Sequence, residues 1–146
     1  PFTILYHVNA GFPLLCAGSQ LEAGSVSIEP YDQAAADRLG EVWSFTGPDP
    51  QYPGMGLDYL HTMAADPEGR AWAALVNRNL QPQGGPKGLG LSLRFRTDTL
   101  PFLNEWKLLG EGDYLWVKTG RVTAGRRGYV QHLSPRSFPR PSAIPS

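Results

Sequence analysis

Hydrophobic and polar residues alternate along this chain in short stretches, and each stretch predicts a β-strand. The cleanest is Leu89-Gly90-Leu91-Ser92-Leu93-Arg94-Phe95-Arg96, where large apolar residues recur at every second position. A period of two sends those four side chains to one face of a sheet and the arginines to the other. Phe2 to Tyr6, Val26 to Ile28, Leu57 to Met63, Ala71 to Asn77, Phe102 to Leu109 and Tyr114 to Val117 read as further strands. Asp66-Pro67-Glu68-Gly69 has proline second and glycine fourth, the pattern of a type I turn, and predicts a hairpin between its flanking strands. Gly47 to Gly54 and Gly84-Gly85-Pro86 are loop and turn, because proline fixes φ and removes a backbone donor. Helical periodicity is confined to the alanine-rich Gln33 to Leu39, which predicts one helical turn. Strands at this spacing predict an all-β fold, a sandwich or a barrel.

Composition narrows the class. The chain has 146 residues, 41% hydrophobic and 18% charged, enough for one globular domain with a real core. No apolar run approaches the roughly 20 residues that span a bilayer, and no signal-like segment opens the sequence. The chain starts at Pro1 inside a strand-like run, which reads as a piece of something longer. Cys16 is the single cysteine, so an internal disulfide is impossible and a reducing, cytoplasmic setting is expected. A net charge of zero argues against general binding to nucleic acid or membranes. Charge is uneven, however: Lys118, Arg121, Arg126, Arg127, Arg136 and Arg140 all follow the last acidic residue, Asp113. From residue 120 the sequence turns to Gly, Arg, Ser and Pro without any period. Two units follow: a folded domain over 1–119 and an extended or disordered tail over 120–146, solvated or in contact with anions.

Several residues could carry chemistry. In Tyr6-His7-Val8-Asn9, alternation puts His7 and Asn9 on one face, and Gly11 and Pro13 then bend the chain away. A histidine at a strand end can point into a cleft, or serve as a structural residue bonded to a backbone carbonyl. Asp58 and His61 lie in one strand, where His61 could line a pocket or sit on an edge-strand surface. Trp43, Trp72, Trp106 and Trp116 could stack on a sugar ring or fill a core; Trp106 falls in step with Asn104 and Leu108. Asn77, Arg78 and Asn79 could bind hydroxyls or simply make a turn. Gly84-Gly85-Pro86-Lys87-Gly88 lacks the spacing of a phosphate loop, and no cluster has zinc-ligand spacing.

Two runs carry a family resemblance. Leu100-Pro101-Phe102-Leu103-Asn104-Glu105-Trp106-Lys107, followed by Gly110-Glu111-Gly112-Asp113-Tyr114, and the earlier Leu5-Tyr6-His7-Val8-Asn9-Ala10-Gly11-Phe12-Pro13-Leu14-Leu15 resemble the C-terminal half of the aldose 1-epimerase (galactose mutarotase) family, most of all its bacterial branch DUF4432. The likeness runs from about Pro1 to Trp116. It implies part of an antiparallel β-sandwich of the galactose mutarotase-like, or supersandwich, type. It implies a place in carbohydrate metabolism and a monosaccharide as ligand, with no cofactor and no metal. It also implies acid and base ring opening, with His7 as the acid and a glutamate as the base. Asn9, Asp58, His61 and Trp106 would contact the sugar.

The glutamate is where this chain departs from the pattern. The strand after the Trp-Lys run should end in Glu-Pro, but it reads Leu115-Trp116-Val117-Lys118-Thr119-Gly120. Lys118 or Thr119 stands where the glutamate is expected, and neither takes up a proton as glutamate does at neutral pH, unless Lys118 is strongly desolvated. Three functions are therefore in play. The first is an aldose 1-epimerase-like protein with impaired turnover, and the second a non-catalytic carbohydrate-binding module. The third is an incomplete sandwich that needs a partner chain, such as a second copy in a homodimer.

Overall fold

In a computed structural model, the structure describes residues 5–47, 49, 51, 56–81, 83–85 and 87–109, together with the backbone of 114–120. Among the described residues, eight strands form two antiparallel sheets. They are β1 (Leu5–Ala10), β2 (Gln20–Ala23), β3 (Ser25–Pro30), β4 (Leu57–Met63), β5 (Arg70–Asn77), β6 (Leu89–Arg96), β7 (Phe102–Leu108) and β8 (Tyr114–Gly120). The larger sheet runs β1-β8-β7-β4-β3 and the smaller runs β2-β5-β6. The expected all-β sandwich is present. The single helical turn is also where the alanines place it, as α1 (Gln33–Asp37). Asp32 caps it by accepting a hydrogen bond from the Ala35 amide at 2.9 Å. Residues 2–4 and the tail beyond Gly120 lie outside the described residues.

Alternation explains why the sheets stack. In β4, Leu57, Tyr59, His61 and Met63 point inward and are buried. Ala71, Ala73 and Leu75 of β5 do the same from the other sheet. With Leu15, Leu21, Val42, Phe45 and Leu103 they form one contiguous core.

The hairpin expected across Asp66-Pro67-Glu68-Gly69 is not formed. The turn itself exists: the Gly69 amide donates to the Asp66 carbonyl at 2.9 Å. Its flanking strands belong to different sheets, however, since β4 pairs with β3 and β7 while β5 pairs with β2 and β6. Both strands carry apolar faces that must meet across the core. The turn therefore carries the chain from one sheet to the other rather than closing a ladder. Strand β2 had no clear alternation in the sequence and is defined by its partner β5.

A segment between α1 and β4 bridges the sheets. Its short 3-10 turn (Leu39–Glu41) leads into residues 42–45. There the Leu21 amide donates to the Trp43 carbonyl at 3.0 Å and the Phe45 amide to the Ser19 carbonyl at 3.1 Å. The segment thus lies along the edge of β2.

Gly56 opens β4 with φ +76°. A Cβ here would collide with the Lys107 carbonyl oxygen and the Trp106 indole nitrogen. Left-handed backbone and close approach both demand glycine. We expect Gly56→Ala to cost about 2–4 kcal/mol in urea unfolding, from the αL penalty plus the clash. A loss below about 0.5 kcal/mol would show that the strand entry relaxes freely.

Candidate functional site

Strand register decides which candidate residues meet. In the five-stranded sheet, one transverse row runs His7, Lys118, Asn104, Leu60. The next row runs Asn9, Trp116, Trp106, Asp58. Directly opposed residues share a face. His7, Asn9, Asn104, Trp106 and Asp58 therefore lie together on the face turned away from the core. Lys118 holds the register position directly opposite His7, while its side chain and that of Trp116 lie outside the described residues. His7 and Asn9 are exposed, Asn104 and Trp106 half-buried, and Asp58 only 8% exposed.

Asp58 is anchored from β7. The Asn104 amide donates to Asp58 Oδ1 and, at 3.3 Å, to the Tyr59 carbonyl. Asn104 thus belongs to this face as fully as Trp106. Its two-residue step from Trp106 was the sequence signal for it. The backbones of His7 and Asp58 are three strand spacings apart, about 14 Å.

His61 is elsewhere. It sits an odd number of residues from Asp58 and so points to the opposite face, inside the sandwich, with no exposure. It does not share the face of His7, and it is not on an edge, because β4 lies between β3 and β7. Its Nδ1 is 2.9 Å from Ser25 Oγ and its Nε2 is 3.1 Å from Glu105 Oε2. The Trp43 ring meets it edge-on, with centroids 5.6 Å apart. Serine, histidine and carboxylate in hydrogen-bonded series are the components of a nucleophilic triad. Here the histidine and the carboxylate are both sealed from solvent, so the series is part of the core.

Lys107 continues this buried chain. Its Nζ donates to the Glu41 and Ser44 carbonyls, the latter at 3.0 Å. It also lies 3.4 Å from Glu105 Oε1 and 4.3 Å above the Phe45 ring. Glu105 Oε1 has no hydrogen-bond partner among the described residues, so this cation is its nearest compensation. Burial pulls the Lys107 ammonium below its ordinary range, and the Glu105 carboxylate works against that pull. Burial first, and then the nearby Glu105 and Glu41 carboxylates, push the Tyr59 phenol well above 10.0. Its hydroxyl donates to the Arg38 carbonyl at 3.1 Å.

The remaining candidates have structural work. Asn77 is buried, accepts from the Asn79 and Leu80 amides at 3.1 Å, and donates to Cys16 Sγ at 2.9 Å. It makes the turn. Trp72 is 46% exposed on the smaller sheet, away from the His7 face. Among the described residues, no three His, Cys, Asp or Glu side chains group as metal ligands, and no helix is long and apolar enough to cross a membrane.

Comparison with known proteins agrees with this architecture. Residues 1–118 match the model of DUF4432, a domain of unknown function. A crystal structure from Klebsiella pneumoniae subsp. pneumoniae, of a protein provisionally assigned as an aldose 1-epimerase, superposes with a TM-score of 0.69 at 29% identity. The match covers 84% of this chain and 30% of that one. No curated protein matches. The fold is therefore aldose 1-epimerase-like, and the chain spans less than a third of the solved relative.

Two outcomes are expected of the buried chain. Lys107→Met leaves a carboxylate and two carbonyls without their cation, so we expect a loss of about 3–5 kcal/mol in urea unfolding; a loss under about 1 kcal/mol would mean that water replaces the ammonium. Above pH 10.0 the unfolded chain releases the Tyr59 proton while the folded chain keeps it. Stability should therefore fall as pH rises past that point. Lys107 acts in the opposite sense, between its lowered folded value and 10.5, where the folded chain has lost a proton that the unfolded chain still holds, so stability rises with pH there. Tyr59→Phe should flatten the fall above pH 10.0 in melts followed by circular dichroism. An unchanged slope would assign the fall to other groups.

Proposed function

Because the chain belongs to the DUF4432 family, we propose that it is an aldose 1-epimerase-like protein that binds a free monosaccharide or sugar derivative. The binding surface is the open face of the five-stranded sheet. The observation that carries this reading is the gathering of His7, Asn9, Asn104, Trp106 and Asp58 on one face by strand register. Amide and carboxylate groups suit sugar hydroxyls, and an indole offers a platform for the C–H face of a pyranose.

His7 is the proton donor to the ring oxygen in this reading, since an imidazole titrates near neutral pH. The base is the weak point. Lys118 stands opposite His7, where the resemblance calls for a glutamate, and an ammonium donates protons without accepting them. Asp58 brings a carboxylate to the same face but lies three strand spacings from His7, and Asn104 already donates to one of its oxygens. Turnover by this chain is therefore weak or absent, and binding without turnover is the second reading, favoured by the same lysine.

Proton exchange spectroscopy between the α and β anomers of glucose and galactose tests both readings. We expect sugar signals to broaden, with exchange close to the uncatalysed rate, and His7→Ala to reduce the broadening. Exchange far above background that disappears in His7→Ala would overturn the view that the base is lost. Absence of broadening for these and other aldoses would remove the sugar-binding proposal.

A further inference from the structure

Charge on the outward face of the five-stranded sheet is sorted by strand. Register aligns His7 of β1, Lys118 of β8, Asn104 of β7, Leu60 of β4 and Glu29 of β3 in one transverse row. The row is basic at its β1 and β8 end and acidic at its β3 end. Asp58, in the neighbouring row, stands on β4, and its side chain accepts from Asn104. The β8 backbone lies two strand spacings from β4, about 10 Å, and three from β3, about 14 Å. Among the described residues, no Asp or Glu holds a register position next to Lys118 on this face.

The cross-strand neighbour of Lys118 on β1 is instead a second basic residue, His7. Like charges directly opposite each other in a sheet are destabilising, so this pair is unfavourable whenever the imidazole is protonated. An anion received between the two positions replaces that repulsion with two attractions. Hydrogen bonds to a charged group are roughly twice as strong as those between neutral groups.

The neighbouring row, Asn9, Trp116, Trp106 and Asp58, lies two residues further along the strands, about 7 Å away. A hexose ring over the tryptophan positions reaches the His7 row with the substituent on its exocyclic carbon. A hydroxymethyl group there offers the basic pair one neutral partner. A carboxylate or a phosphate at the same carbon offers it a charge.

We propose, building on the sugar-binding reading above, that the sugar is anionic, a uronic acid or a sugar phosphate, with its charged group received where His7 and Lys118 meet. The lysine in place of the expected glutamate then exchanges a base for an anion site. A glutamate opposite His7 would repel the same ligand.

Titration of the full chain with glucose and galactose, and with their uronates and 6-phosphates, tests this by the broadening of sugar signals at low ionic strength. We expect an anionic sugar to bind at least about tenfold more tightly than its neutral parent, and molar salt to shrink the difference. Which of the two anions gains more separates a carboxylate site from a phosphate site. Lys118→Met should abolish the preference and Lys118→Glu reverse it, each with an unchanged circular dichroism spectrum. Arg94→Gln removes one positive charge from β6 of the smaller sheet and should keep the preference. Equal binding of neutral and anionic sugars by the unaltered chain would overturn the proposal and leave the sugar-binding reading standing. So would a preference that survives Lys118→Met. Absence of binding by neutral and anionic sugars alike would overturn both.

Discussion

The buried ammonium of Lys107 is the contact on which the rest of the sandwich turns. It projects from β7 of the larger sheet and holds the carbonyls of Glu41 and Ser44. Those carbonyls belong to the segment whose next residues hydrogen-bond to the edge of the smaller sheet. One side chain thus fastens two sheets through a stretch of irregular backbone. The cation is tolerated in the core because acceptors and a carboxylate surround it, and Glu105 is in turn shared with His61. Such a set is costly to assemble and costlier to leave incomplete.

Strands β4 and β7 are therefore two-sided in a chemical sense. Their inward residues Tyr59, His61, Glu105 and Lys107 form a polar seam within the core. Their outward residues Asp58, Asn104 and Trp106 belong to the face that also carries His7 and Asn9. The two sets alternate along the same few residues. The proposed ligand face and the core thus share backbone: Asn104, which anchors Asp58, is flanked by Leu103 and Glu105 of the core.

Much of this was legible in the chain and some was not. The period of two placed Leu89 to Arg96 as a strand, the reading of Leu57 to Met63 as another also held, and the alanines of 33–39 marked the helical turn. The same alternation put His7 and Asn9 on one face. The motif Asn104-Glu105-Trp106-Lys107 gave the family, but the alternation within it was not enough to tell which pair faced the core. Polarity pointed the wrong way: Glu105 and Lys107 are both charged yet face the core, while Trp106 shares the outward face with Asn104. His61 misled for a related reason: a histidine in a strand looks the same whether it faces solvent or a buried carboxylate. The hairpin across Asp66 to Gly69 failed because a turn sequence fixes a local reversal but not the sheet to which the next strand returns.

The sequence by itself determined what depends on neighbours in the chain: most strand positions, the turn chemistry, the helical turn, the family, and the lysine standing where a glutamate is expected. Tertiary structure decided what depends on residues far apart. It set His7 opposite Lys118 and Asp58 beside Trp106, and it withdrew His61 into the core against Glu105. The physical reason is that side-chain period is a property of each strand alone, whereas register and sheet membership arise only when strands from distant parts of the chain compete to bury their apolar faces together.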